Sequence, residues 1–138
     1  MATLSLCADL GDLATVREFV ANIGTDLGLD ADVIYALQLA VDEACSNVIN
    51  HGYRGQAGRI DVTVEPVEEG VQVLVRDWGG AFDPHGVPTP NVEAPLEERR
   101  LGGLGLFLMR KVMDDVSFAF DAGGGNTLKM VKRIRRRE

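Results

Sequence analysis

An α+β fold of two layers, with helices on one face of a mixed, mostly antiparallel sheet, is predicted by three features of the sequence. Two long stretches, Leu13 to Leu27 and Val33 to Val48, carry apolar residues at helical spacing and follow one another directly. Two pairs of segments alternate apolar and polar residues around glycine-containing turns, which is the pattern of hairpins. Strands that arrive in hairpins, rather than one by one between helices, favour helices packed on one side of a sheet over a doubly wound parallel sheet.

Taken in order, Leu4 and Leu6 alternate with small or polar neighbours and predict a short first strand. Leu13, Val16, Phe19, Val20, Ile23 and Leu27 then mark a helix, with Asp9 or Asp12 available to cap it. A second helix is predicted after Asp30, with Val33, Ile34, Leu37, Val41, Ala44 and Val48 on its apolar face. It should end near Gly52, since glycine suits a left-handed cap. Beyond a turn around Gly55 and Gly58, Ile60, Val62 and Val64 alternate with polar residues. Glu68-Glu69-Gly70 reverses the chain into Val71, Val73 and Val75. From Trp78 to Leu101 periodicity stops and four of the five prolines occur, so a long irregular lid is expected. A third helix should run from about Gly103 to Met113, with Phe107, Leu108 and Met113 in the core. Strands at about Val116–Ala122 and Thr127–Ile134 should flank the turn Gly123-Gly124-Gly125-Asn126.

The whole of residues 1–138 is read as one domain, and 46% hydrophobic residues are enough for an ordinary core. Cys7 and Cys45 lie in no metal-binding or redox spacing and are expected to be buried thiols in a reducing compartment. No apolar run approaches membrane length and no basic leader opens the chain, so a cytoplasmic protein with no membrane contact is expected. A net charge of −7 argues against direct nucleic-acid binding through phosphate neutralisation. The basic run from Lys132 to Arg137, in the tail 132–138, is read as a solvated extension of the last strand.

Three elements carry polar residues that packing does not explain. Glu43, Asn47 and His51 are spaced by four along the second helix and so share one stripe. The amide oxygen of Asn47 is a hard ligand suited to magnesium, and Glu43, one turn away, can accept a proton from a hydroxyl. Alone, this stripe is equally the pattern of a solvated helix face. Asp77-Trp78-Gly79-Gly80-Ala81-Phe82-Asp83 follows an apolar strand directly. A carboxylate there can accept from an exocyclic amine, while glycines let a flat ring approach; an ordinary turn would also use Asp. Leu101-Gly102-Gly103-Leu104-Gly105-Leu106 runs into a helix, where free N–H groups can meet phosphate oxygens, or where glycines can merely hinge. It is neither a Walker A loop nor a dinucleotide fingerprint.

In this order and with a lid between them, the elements resemble the GHKL superfamily of ATP-binding domains. Within it they look like the small anti-sigma-factor serine/threonine-protein kinases. Glu43-Ala-Cys-Ser-Asn47-Val-Ile-Asn-His51-Gly-Tyr53 resembles the family's N-box, and Asp77-Trp-Gly79-Gly-Ala-Phe82-Asp83-Pro84 its first glycine box. Gly102-Gly-Leu-Gly105-Leu-Phe-Leu-Met-Arg-Lys-Val-Met-Asp114 resembles the second glycine box, and Gly124-Gly-Asn126-Thr127-Leu128 the last strand pair.

The resemblance implies the Bergerat ATP-binding fold, ATP and Mg2+ as cofactors, Asn47 as the metal ligand and Glu43 as the catalytic base. It implies Asp77 as the acceptor for the adenine amino group. Nucleotide contacts are implied for His51, Gly79, Ala81, Phe82, Gly102, Gly103, Leu104, Gly105, Leu106 and Thr127. Residues 84–101 become the ATP lid, with Arg99 or Arg100 on phosphate. Ala81 departs from a pattern in which many members carry a third glycine, and His51 also suits a structural role. The implied partner is a STAS-domain anti-sigma-factor antagonist that is phosphorylated, with a sigma factor competing for the same kinase, itself a homodimer. A sensor histidine kinase would need a dimerisation helix bearing the phosphorylated histidine, which no segment supplies. The alternative from another class is a noncatalytic, ATP-gated module that sequesters a regulatory partner.

Overall fold

The computed structural model describes residues 2–7, 9–53, 58–79, 104–120 and 125–134. Its elements are β1 (Ala2–Cys7), α1 (Leu13–Asp26), α2 (Ala31–Asn47), β2 (Arg59–Val67), β3 (Gly70–Asp77), α3 (Leu104–Val112), β4 (Asp115–Phe120) and β5 (Asn126–Arg133). The order is the one predicted, and the five strands form one sheet in the order β1-β2-β3-β5-β4. Each of the four pairings is antiparallel. The α+β class expected from the hairpins is what the chain adopts, and the described part of the mostly antiparallel sheet is antiparallel throughout.

Alternation along the central strands decides which face the helices cover. Ile60, Val62, Val64, Val71, Val73 and Val75 are each at most 1% exposed and form the floor of the core. Val16 and Val20 of α1, Leu37, Val41 and Cys45 of α2, and Leu106 and Met109 of α3 pack onto that floor. Ala40 and Ala44 are also buried, and their small side chains let α2 lie close to the sheet. The opposite face is tied by polar pairs across neighbouring strands. Ser5 donates to Asp61 at 2.7 Å, Thr3 meets Thr63 at 2.9 Å, and Gln72 donates to Glu65 at 2.6 Å. Cross-strand pairs of this kind each add ~0.2–1 kcal/mol.

Two turns depend on glycine. Gly28 closes α1 with φ +74°; its N–H donates to Thr25 O and the Leu29 N–H to Gly24 O, so the last carbonyls of the helix are satisfied. At Gly70, after the Glu68-Glu69 reversal, an added Cβ would lie 2.1 Å from Lys132 O, because β5 passes directly alongside.

Several local expectations are corrected. Gly52 is not a left-handed cap: the chain leaves α geometry at Val48, continues as a π turn through Val48–Gly52, and ends at Tyr53 with φ −95°. Asp12 makes no side-chain cap on α1; Asp9 instead accepts from the Gly11 N–H and shapes the 3-10 turn Leu10–Asp12 that leads in. Cys7 is exposed, because it alternates onto the open face of β1, whereas Cys45 is buried. Phe107 is 48% exposed, since the inward stripe of α3 is Leu106, Met109 and Met113 and leaves Phe107 facing out. The basic run is partly structural. Lys132 Nζ donates to Val112 O at 3.0 Å, and Arg133 pairs with Asp115 at 3.0 Å; residues 135–138 lie outside the described residues. The predicted lid, 84–101, also lies outside them.

Candidate functional site

Asp77 is the last residue of β3 and shares the face of Val71, Val73 and Val75, so alternation carries a carboxylate into the edge of the core. It is 7% exposed, the sole buried charged residue among the described ones. A carboxylate buried so deeply needs hydrogen bonds to offset its lost hydration. The Gly79 N–H donates to Asp77 Oδ1 at 2.9 Å, an Asx turn that ends the strand. Asn126 Nδ2 donates to the same oxygen at 3.0 Å and to Gly79 O at 3.2 Å. Among the described residues no group donates to Oδ2, which leaves an acceptor for a ligand N–H.

The pairing of β3 with β5 sets Asp77 opposite Asn126. Directly opposed residues on one face lie within side-chain reach. The same alternation turns Thr127 away: it pairs with Arg76 and falls on the open face, between Asn126 and the buried Leu128. Thr127 is therefore not retained as a site residue, and Asn126 stands where the sequence expectation had it. Leu106 is 4% exposed and packed among core residues, so its part is in packing.

Glu43 and Asn47 lie one turn apart near the end of α2, both half-buried. Burial, and then the charge of Asp42, raise the Glu43 carboxyl above its ordinary value of 4.5. Asp42 is in turn held by Arg17 of α1 at 3.2 Å. Cys45 points into the core, where burial pushes its thiol up to about 12 and makes it unreactive. The stripe of Glu43, Asn47 and His51 assumed an unbroken α-helix. His51 belongs by its backbone to the π turn, which widens the step between residues, and its side chain lies outside the described residues.

Tyr53 joins the two halves of the site. Its hydroxyl donates to Arg59 O at 2.6 Å and accepts from the Trp78 N–H at 2.9 Å. The end of the Asn47-bearing helix is thereby tied to the start of β2 and to the residue after Asp77. Trp78 itself faces the other way and lies between the guanidinium groups of Arg59 and Arg76, 5.3 and 5.2 Å from its ring centre.

Leu104 and Gly105 open α3 directly after the glycine pair, as expected. Ala81, Phe82, Arg99, Arg100, Gly102 and Gly103 lie outside the described residues, as does the side chain of Leu104. Asn126 and Tyr53 were given no role from the sequence. The signal for Asn126 was its position two residues before Leu128 and four before Met130, the apolar alternation of β5. Nothing local marks the Tyr53 hydroxyl as a bridge.

No group of three or more His, Cys, Asp or Glu side chains that could hold a metal occurs among the described residues. A magnesium ion at Asn47 would therefore need phosphate oxygens and water for its other ligands, which is how this ion is commonly held. The half-buried amide of Asn47 fits that donor set. No described helix is long and apolar enough to cross a membrane.

The family described as histidine kinase-like ATPase domain matches residues 6–132. A serine-protein kinase RsbW from Bacillus licheniformis is 32% identical over 126 residues, covering 88% of this chain and 78% of the relative. One from Bacillus cereus (strain Q1) is 29% identical over 130 residues, covering 91% and 80%. Among solved structures, the RsbU and RsbW domains of a Mycobacterium tuberculosis protein superpose with a TM-score of 0.68 at 21% identity. That alignment covers 99% of this chain and 34% of the larger one, and it speaks for the fold alone.

Proposed function

This chain belongs to the histidine kinase-like ATPase domain family, and from that premise we propose that it is an ATP-dependent protein-serine/threonine kinase of the anti-sigma regulatory type. The observation that carries the reading is Asp77, a buried carboxylate whose Oδ1 accepts two hydrogen bonds while, among the described residues, no group donates to Oδ2. An exocyclic amine of adenine supplies the missing donor. Relatives that bear the name serine-protein kinase, matched over most of their length, support the catalytic half of the proposal.

In this reading Asp77 fixes the base, and Asn47 would hold magnesium against the phosphates. The ion's chemistry is to neutralise charge that develops between the β- and γ-phosphates. Glu43 accepts the proton of a partner's serine or threonine hydroxyl. The hydroxyl oxygen forms a bond to the γ-phosphorus as the bond to the β-phosphate oxygen breaks, and ADP leaves with that electron pair. The raised pKa of Glu43 makes it a stronger base than an exposed carboxylate. His51, Gly79, Ala81, Phe82, Arg100, Gly102, Gly103, Leu104 and Gly105 remain proposed nucleotide contacts, with 84–101 as the lid. The proposed substrate is a STAS-domain anti-sigma-factor antagonist, a sigma factor is the competing partner, and the working unit is a homodimer in the cytoplasm.

The test is to mix the purified protein and Mg-ATP with each single-domain STAS protein of its own genome and follow intact mass. One partner should gain one phosphate, and Glu43→Ala should abolish the gain. A stable ATP-dependent complex with no gain in mass would replace the kinase with a sequestering module.

A further inference from the structure

We propose that Tyr53 is a positioning residue whose hydroxyl fixes the span between the metal end of the site at Asn47 and the base end at Asp77, so that one nucleotide engages both at full strength. The proposal rests on the proposed reading of those two ends and adds the residue that holds them at a set separation.

Ile60 and Asp77 are the last pair in the register of β2 and β3, so Arg59 and Trp78 are the next two residues to face each other. The Tyr53 hydroxyl stands between their backbones: it accepts from the Trp78 N–H at 2.9 Å and donates to Arg59 O at 2.6 Å. Its one proton and a lone pair are both in use, which leaves the group a single orientation. The end of the ladder is thus closed through a side chain that arrives from the helix layer.

The π turn delivers that side chain. The Tyr53 N–H donates to Val48 O at 2.9 Å, five residues back where an α-helix would reach four. Ile49, 4% exposed, anchors the turn in the core, and the Tyr53 ring packs against the same core and over Gly58. Asn47 closes α2 where this turn begins, and Asp77 is bonded to Trp78. One rigid turn, one hydroxyl and one peptide unit therefore connect the two ends. A ligand that engages both gains their full sum only where the separation already matches its own length; otherwise part of the binding energy goes into ordering the protein. A ligand that reaches one end alone does not sense the separation.

The experiment uses adenosine, which reaches the base end alone, and Mg-ATP, which reaches both. Each is titrated into the wild-type protein and into Tyr53→Phe, which keeps the ring and removes the link, with binding followed by protein NMR. Tyr53→Phe should lose about tenfold for Mg-ATP and keep its affinity for adenosine. Equal losses for both ligands would make Tyr53 a support of Asp77 alone and overturn the proposal, as would an unchanged affinity for Mg-ATP. If Tyr53→Phe does not fold, Gly58→Ala serves, because its added Cβ overlaps the Tyr53 ring and displaces the hydroxyl; the same selective loss is expected. A wild-type protein that binds Mg-ATP no more tightly than adenosine would instead bring down the reading of Asn47 and Asp77 as two ends of one nucleotide site, and the proposal with it.

Discussion

Asp77 at the end of β3 and Glu43 near the end of α2 are carboxylates set against the same core, but they are held in opposite ways. Asp77 is almost fully buried and locked on one oxygen by the Gly79 N–H and Asn126. Glu43 is half-buried, accepts no hydrogen bond among the described residues, and has its pKa raised by burial and by Asp42. A group that recognises a ligand gains from being fixed in advance, because no ordering remains to be done on binding. A group that must take up a proton gains from weak competition for its lone pairs and from an environment that favours the protonated form. Under the proposed function, the contrast separates a binding end from a reacting end.

The largest expected effect tests that separation directly. Glu43→Ala should lower phosphoryl transfer by ~10²–10⁴ while ATP affinity stays near wild type. Transfer at the wild-type rate would remove the reacting end from the comparison.

Asp77→Asn should act the other way round. A hydrogen bond to a charged acceptor is worth ~1.5–3 kcal/mol, so ATP affinity should fall by roughly 10–100-fold in a direct titration. Unchanged affinity would place the adenine site elsewhere in the fold.

Gly70→Ala lies at the opposite end of β3 and sharpens the comparison as a control. The added Cβ meets Lys132 O of β5, so thermal unfolding should show a loss of about 1–3 kcal/mol. The folded protein should still bind ATP normally. A loss of affinity without a loss of stability would mean that the two ends of β3 are coupled.

The smallest effect concerns pH. The folded state holds the Glu43 proton more tightly than the unfolded chain, whose value is near 4.5. Ionising Glu43 therefore costs the fold some stability, a cost absent below the unfolded value and complete above the raised folded one. Denaturation of Glu43→Gln should show a small gain over wild type at pH 7 that disappears towards pH 4. Transfer by the wild type should fall as pH drops through the raised value. A gain that persists at low pH would assign it to packing rather than to ionisation.

Much of the architecture was legible because it rests on periodicity. Val71, Val73 and Val75 alternate, and Leu37, Val41 and Ala44 recur at helical spacing. Such patterns survive whatever the neighbouring elements do. Where an expectation failed, packing against another segment intervened. Gly52 had the composition of a helix cap, yet the buried Ile49 and the Tyr53 hydroxyl draw the chain into a π turn. Phe107 had the character of a core residue, yet the stripe formed by Leu106, Met109 and Met113 rotates it outward.

The candidate site divides along the same line. The identity and spacing of Glu43, Asn47 and Asp77 are local, and the sequence alone determined that these residues sit on a helix stripe and at a strand end. It also determined the order of elements and the face of the sheet that would be buried. Only the tertiary structure decided that Asn126, not Thr127, meets Asp77, and that Tyr53 joins the ends of α2 and β3. Those contacts join residues 49 and 25 positions apart. Strand register and a long-range hydroxyl bridge set them, and neither leaves a periodic trace in the chain.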